Sequence, residues 1–263
     1  MKITVDYHVH TNLSSCARRT TTIESYLPVA KEQGLTKIGI SDHVWDDKIP
    51  GASNFYLPQF PAHSALIKEQ GVPGVIDGIQ FLFGCEADMN KDDVIGMTEE
   101  SAAMFDYILI PTAHFHMKGF TIEKDTPVQT AAKRMLERMY KVCEVPFVSG
   151  IAHPFLPMGY DNDRRELFAS LADAELEACF KAVAKAGKSV EINFNYFKEK
   201  FFVEGEYERI YTIAREQGCS FHLGSDCHTP ENMCGYANAL EFAQRCGITE
   251  DRFIPLETLG KRG

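Results

Sequence analysis

Short apolar runs rich in β-branched and aromatic residues alternate along the chain with longer stretches in which apolar side chains recur every three or four positions. The short runs are Ile3–Tyr7, Lys37–Ser41, Ile79–Cys85, Tyr107–Pro111, Phe147–Ile151, Ser189–Asn193 and Ser220–Gly224. Their length and composition predict buried strands of a parallel sheet. The longer stretches predict helices over Thr22–Gln33, Phe60–Gln70, Pro127–Val142, Asp163–Ala186, Glu206–Gln217 and Pro230–Arg245, with a weaker pattern over 91–104. The first of these opens with Thr21-Thr22-Ile23-Glu24 and stops at Gly34, a capping-box start and a glycine end. Pro230 falls where a first helical turn accepts proline.

The alternation amounts to about seven β–α units, which implies a parallel sheet covered by helices. No Ser/Gly/Pro-rich linker divides it, so the expected organisation is one α/β domain over residues 1–263, closed or nearly closed into a barrel. The long loops at 44–58, 115–125, 154–162 and 194–205 each follow a strand, the edge of an α/β fold where function sits.

Composition narrows the classes. Hydrophobic residues make up 44% and charged residues 24%, the balance of a globular chain rather than a disordered or fibrous one. Lys plus Arg number 27 against 37 Asp plus Glu, a formal charge of −10, which argues against a binder of duplex nucleic acid. It does not argue against a small phosphorylated substrate, because bound cations can reverse the sign locally. No run approaches a membrane span. The start, Met1-Lys2-Ile3-Thr4-Val5-Asp6, lacks the apolar core and cleavage site of an export signal. None of the eight cysteines forms a Cys-x-x-Cys pair, and their scatter reads as reduced thiols. The expected location is the cytoplasm.

What ends each strand carries the chemistry. In order these are Asp6-Tyr7-His8-Val9-His10, Ser41-Asp42-His43, Gly84-Cys85-Glu86, Thr112-Ala113-His114, Ala152-His153-Pro154, Glu191-Ile192-Asn193 and Gly224-Ser225-Asp226-Cys227-His228. Successive marks are separated by one β–α repeat, so parallel strands place them all on one rim. Imidazole and carboxylate together are ligands for zinc, manganese or iron. A lone His-x-His pair is weak, and any single histidine is as well read as a packed, hydrogen-bonded side chain. The repetition at successive strand ends predicts a metal site.

This series resembles the PHP family of metal-dependent phosphoesterases, named for polymerase and histidinol phosphatase. The resemblance runs from about residue 5 to 230 and implies a distorted seven-stranded (β/α)7 barrel, with two or three divalent metal ions at the C-terminal ends of the strands. It implies that His8, His10, Glu86 and Asp226 hold one ion, that Glu86 bridges to a second held by His114 and His153, and that His43 and His228 hold a third. The family often has a further histidine six residues after the His-x-His pair, where this chain has Cys16. A thiolate also binds zinc or iron, so Cys16 is expected as a ligand of the third ion, the alternative being a free thiol.

Two metals about 3.5–4 Å apart suit hydrolysis of a phosphate ester by a metal-bridging hydroxide. The expected activity is therefore a metal-dependent phosphatase acting on a small phosphomonoester, with histidinol phosphate the natural candidate by resemblance. Glu86 is expected at the centre of catalysis, and His43 or Asp42 as acid for the leaving group, unless Asp42 orients its neighbouring imidazole. For the phosphate, the rim offers Arg18, His116, Lys118 and Lys198, each also readable as a solvated surface group. His63 and His222 read as structural, Glu191 and Asn193 as support for the site, and Trp45 as lining for the mouth. Two alternatives stand beside this reading: an amidohydrolase-type C–N hydrolase on a related barrel, and a non-catalytic metal-binding module. Oligomeric state is not legible.

Overall fold

A computed structural model describes residues 4–260. In chain order the elements are β1 (Val5–Val9), α1 (Ile23–Glu32), β2 (Lys37–Ile40), β3 (His43–Val44), α2 (Pro61–Ser64), β4 (Gly74–Ile76), β5 (Ile79–Ala87), α3 (Glu99–Ala102), β6 (Tyr107–Pro111), α4 (Val128–Cys143), β7 (Gly150–Ala152), α5 (Arg164–Ala169), α6 (Asp173–Ala186), β8 (Ser189–Asn193), α7 (Glu206–Glu216), β9 (Ser220–Gly224) and α8 (Tyr236–Arg245). Strands β1, β2, β5, β6, β7, β8 and β9 follow one another in a parallel sheet. The sheet is brought back on itself just beyond β9, where Asp226 N donates to His8 O at 2.8 Å and His10 N to Cys227 O at 3.0 Å. The result is a nearly closed barrel of seven parallel strands, as expected.

Each of the seven expected strands has a counterpart, although the one expected over Phe147–Ile151 begins only at Gly150 and ends at Ala152. Ile3, expected to open the first, lies outside the described residues, and that strand runs on to Val9. Two further strands had not been expected. β3 pairs in parallel with β5 and sets His43 opposite Glu86. β4 forms a hairpin with β5 across Asp77-Gly78, both at positive φ (52° and 82°). Asp-Gly between apolar neighbours is the strongest short-range hairpin signal and marked this turn in the sequence.

The helical expectations need four corrections, the first being that Phe60–Gln70 is α-helical only over Pro61–Ser64 and goes on as a 3₁₀ helix over Ala65–Gln70. The stretch Asp163–Ala186 is two helices, because the Ser170 hydroxyl turns back to Glu166 O at 2.8 Å and Ala172 is extended (ψ 142°). A new helix then begins with Asp173 and Glu175 in its first turn, where acids favour a start. Pro230–Arg245 is a single 3₁₀ turn at Pro230–Asn232, then a break in which Met233 is buried, then α8. In 91–104 only α3 is α-helical, since Asn90 Oδ1 accepts from Asp92 N and Val94 N, both at 3.0 Å, and holds the chain in a turn.

Inside the barrel a lower layer of Tyr7, Leu82, Tyr107, Leu109 and Ala152 is closed from beneath by Leu256. The larger apolar core lies between the sheet and the helices. The β1 register shifts between Asp6 and Val9. That irregularity lets neighbouring residues serve the interior: the Tyr7 ring meets Tyr107 (5.5 Å between centroids), while the His8 ring meets His153 (5.7 Å). Among the described residues no helix is long and apolar enough to cross a membrane.

Candidate metal centre

The strand-end residues meet in one buried cup. Glu86, at the end of β5, is its centre. Glu86 Oε1 lies 2.9 Å from His153 Nε2 and 3.6 Å from His114 Nε2. Glu86 Oε2 lies 3.1 Å from His43 Nδ1, 3.3 Å from His8 Nε2 and 3.6 Å from His10 Nε2. Asp226 Oδ1 reaches His10 Nε2 at 3.2 Å, and His8 Nε2 and His228 Nδ1 at 3.7 Å each. Three sets of donor atoms converge closely enough to share an ion: His8, His10 and Asp226; His8, Glu86 and His153; and His10, His43 and His228. Cys16 stands beside the last set, next to the His228 and His43 imidazoles. Burial works against ionisation there, but the two imidazoles bring the thiol down to about 7.

The surrounding bonds decide which imidazole nitrogens carry protons. His8 Nδ1 lies 2.8 Å from Glu191 Oε1, which can only accept, so Nε2 of the neutral ring is a lone pair. The Ser14 hydroxyl donates to Asp42 Oδ1 at 2.6 Å, so His10 Nδ1, 3.2 Å from Ser14 Oγ, is the donor and its Nε2 is again a lone pair. His228 Nδ1 donates to Asp226 O at 3.0 Å. The neutral rings of His8 and His10 thus turn lone-pair nitrogens toward the carboxylates and each other, with His8 Nε2 only 3.1 Å from His10 Nε2. Glu86 Oε2 and His43 Nδ1, both buried, have no hydrogen-bond partner. Acceptors packed against acceptors away from water are costly unless a cation lies among them, and this donor set fits divalent metal ions.

The charges agree. Against the cost of burial, His8, His114 and His43 hold the Glu86 carboxyl well below its usual range, and His8, His10 and His228 do the same for Asp226. Burial and the neighbouring imidazoles keep His10 neutral far below its ordinary value. Burial opposes charge on His8, His43 and His153, but Glu191 and Glu86 beside His8, and Glu86 beside His43 and His153, raise all three. Protons on these rings thus balance the carboxylates, and bound metal ions would replace them.

The backbone at the rim is strained where ligands are aimed. His153 and Asp226 have φ of 25° and 52°, values side-chain-bearing residues seldom adopt. Glu191 fixes one of them: its Oε2 accepts from His153 N at 2.5 Å while Oε1 holds His8. A Cβ on Gly224 would sit 1.6 Å from Glu191 Oε1, so the Gly224-Ser225-Asp226 turn needs glycine there. Asn193 Oδ1 accepts from Asn195 N at 2.8 Å, and Asn195 Nδ2 donates to Asp226 Oδ2 at 2.9 Å.

Other expected residues fall outside the cup. Asp42 is buried, with Oδ1 taken by Thr11 N (2.7 Å) and Ser14 and Oδ2 by the Thr11 hydroxyl (2.6 Å). It braces the loop after β1 and steadies His10 through Ser14, and its placement does not suit an acid that meets the leaving group. Arg18 is exposed and paired with Glu231 at 3.5 Å. Lys118 Nζ lies 4.3 Å from the Tyr160 ring centroid, and Lys198 is exposed. His116 is exposed with its ring 5.3 Å from that of His114. Trp45 is buried against loop residues, its indole N–H donating to Ile49 O at 2.9 Å, and does not line the mouth. His222 bonds Ser189 Oγ at 2.9 Å and His63 bonds Leu13 O at 3.2 Å, both structural contacts. The sequence reading missed Ser14, Tyr56, Asp88 and Asn195. Asp88 follows Glu86 by two, the spacing that puts side chains on one face of a strand, and so had a legible signal.

Residues 6–195 match the PHP domain family. An Aeromonas hydrophila protein called "Probable phosphatase" is 27% identical over 256 residues, 97% of this chain and 90% of that protein. The Escherichia coli "Probable phosphatase YcdX" is 27% identical over 251 residues, 95% of this chain and 89% of that protein. The histidinol phosphate phosphatase of Lactococcus lactis, solved with zinc, L-histidinol and phosphate, shares the fold with a TM-score of 0.60 at 17% identity, covering 95% of this chain and 94% of that one. Asp226 and His228 lie beyond the matched span, and closure of the barrel brings them to the same cup. With the match spanning residues 6–195, well over half of the chain, and the strand-end candidate ligands assembled in one cup, this chain belongs to the PHP domain family.

Proposed function

We propose that this PHP-family phosphatase hydrolyses a small phosphomonoester, with histidinol phosphate the leading candidate, using two or three divalent ions of zinc, manganese or iron. The observation that carries this reading is the convergence of imidazole nitrogens from His8, His10, His43, His114 and His153 with the Glu86 and Asp226 carboxylates on one buried space. His8, His10, Glu86 and Asp226 would hold one ion, Glu86, His114 and His153 a second, and Cys16, His43 and His228 a third. Bound there, such ions supply Lewis acidity toward a phosphoryl oxygen and lower the pKa of water to near neutrality. Glu86, held ionised at the centre, balances their charge. His43, at the edge of the cup with its ring 5.3 Å from that of Phe55, would pass a proton to the departing alcohol where no third ion engages it. His116, exposed beside His114, would meet the phosphate. A substrate of the zinc-bound Lactococcus lactis neighbour's kind, an amino alcohol phosphate, supports the choice of histidinol phosphate.

The test is phosphate release from a panel holding histidinol phosphate, sugar phosphates, nucleoside monophosphates and an aryl phosphate, using protein stripped by chelator and then reloaded with each metal. Turnover is expected only after reloading, highest on histidinol phosphate. Because loss of a partner behind a ligand already costs about 10–100-fold, Glu86→Gln is expected to cost at least about 100-fold with the circular dichroism spectrum intact. Metal-loaded protein that is silent toward every ester would defeat the proposal.

A further inference from the structure

Behind His114 the structure supports this candidate ligand through several buried residues in turn. Its Nδ1 lies 3.1 Å from Asp88 Oδ2, and the same oxygen accepts from the Tyr56 hydroxyl at 2.8 Å. Asp88 Oδ1 accepts from Met89 N at 2.7 Å. Asp88 and Tyr56 are fully buried, so none of these bonds is exchanged with water. Behind them lies Arg138, on the buried face of α4 and itself without exposed surface. Its Nη2 donates to Asn90 O at 2.9 Å and also to Thr121 O. Asn90 follows Asp88 by two residues, and the Thr121 hydroxyl donates to His114 O at 2.5 Å. One guanidinium therefore ties the loop carrying Asp88 to the loop carrying His114, with its charge 5.0 Å over the Phe115 ring. Its Nε and Nη1 have no hydrogen-bond partner, an arrangement tolerable for a buried cation with a carboxylate as near neighbour.

We propose that Asp88 is a positioning residue of the metal centre: by accepting from His114 Nδ1 it fixes the tautomer that turns Nε2 toward Glu86, while Tyr56 and Arg138 hold Asp88 in place. The inference rests on reading the cup as a metal centre. A neutral imidazole without this partner can carry its proton on either nitrogen, and the Nε2–H form cannot ligate. A carboxylate on the far nitrogen removes that form and makes the ligating one more basic.

Chelator competition on zinc-loaded wild-type and Asp88→Asn protein, with ¹⁵N-histidine NMR of the zinc-loaded wild type, tests this without reference to turnover. His114 is expected to be protonated on Nδ1. Asp88→Asn is expected to weaken one ion by about 10–100-fold and leave the others unchanged. Tyr56→Phe, which removes one support of Asp88, is expected to weaken the same ion by less. Wild-type affinity for every ion in Asp88→Asn, or a His114 proton on Nε2, would overturn the inference. The NMR reading requires no variant to fold, and Tyr56→Phe decides the affinity arm if Asp88→Asn does not fold. Wild-type protein that takes up no zinc would instead overturn the metal-centre reading itself.

Discussion

Cys16 occupies the position where the soft and hard characters of the cup meet. Its thiol neighbours His43 and His228, the two candidate ligand histidines farthest toward solvent, and those imidazoles favour the thiolate. A thiolate with two or three imidazoles selects zinc or iron over magnesium or manganese. Elemental analysis of zinc-loaded protein is expected to find three ions in the wild type, two in Cys16→Ser, and three again in Cys16→His. Equal stoichiometry in wild type and Cys16→Ser would leave the cysteine without a role in binding. The residue scale is also where the sequence was most and least legible. The ligands were legible because imidazole and carboxylate at successive strand ends have little other reason to recur. The phosphate-binding cations were not, because Arg18, Lys118 and Lys198 are long, solvated side chains whose direction depends on loops without periodicity.

At the scale of elements, the loops after β6 and β7 carry His114 and His153 and pack directly on each other. Gly159, in the second of these loops, has φ of 78°, and a Cβ added to it would stand 2.6 Å from Phe115 O and 2.8 Å from His116 N. Gly159→Ala combines a disfavoured backbone with a backbone clash, so it is expected to destabilise by about 1–3 kcal/mol or more, seen as a lowered thermal midpoint. Since the displaced segment is Phe115-His116, it should also lower turnover. A variant with wild-type stability and activity would show that the loops do not need this close approach. The elements themselves were legible wherever burial is two-sided. Tyr107–Pro111, Ser189–Asn193 and Ser220–Gly224 fall where the apolar runs place them. The split of Asp163–Ala186 was not legible, because a serine turning back on its helix is a local competition that the 3.6-residue pattern does not register.

For the whole molecule, the segment after α8 runs beneath the barrel and seals the end opposite the cup. Ile254 N donates to Phe221 O at 3.1 Å, and Leu256 is fully buried under Tyr7 and Tyr107. Leu256→Ala is expected to cost about 2–5 kcal/mol in urea denaturation while metal stoichiometry stays the same, and an unmoved midpoint would count against a sealing role. Glu257 pins this segment by accepting from the Tyr7 hydroxyl at 2.8 Å and from Lys37. Burial raises its pKa, but the bond from Lys37, a backbone N–H and Tyr7 together bring it below the ordinary value. A carboxyl depressed in the folded state stabilises above the unfolded value, about 4.3, and loses that contribution as the pH falls through the folded value. The thermal-midpoint gap between wild type and Glu257→Gln is therefore expected at pH 7 and should close on acidification. A gap independent of pH would remove the charge from the explanation.

The sequence by itself determined the alternation of strand and helix, the chemical identity of the candidate ligands and their arrival on one rim. A β–α repeat returns the chain to the same edge each time, so spacing alone carries that information. Only the tertiary structure decided which nitrogen of each imidazole faces inward. That choice belongs to partners such as Glu191 for His8, 183 residues away, and Asp88 for His114, 26 residues away, which meet their histidines through barrel closure and loop packing. Hydrogen-bond direction is settled between side chains in space, and a linear pattern of residue types holds no record of it.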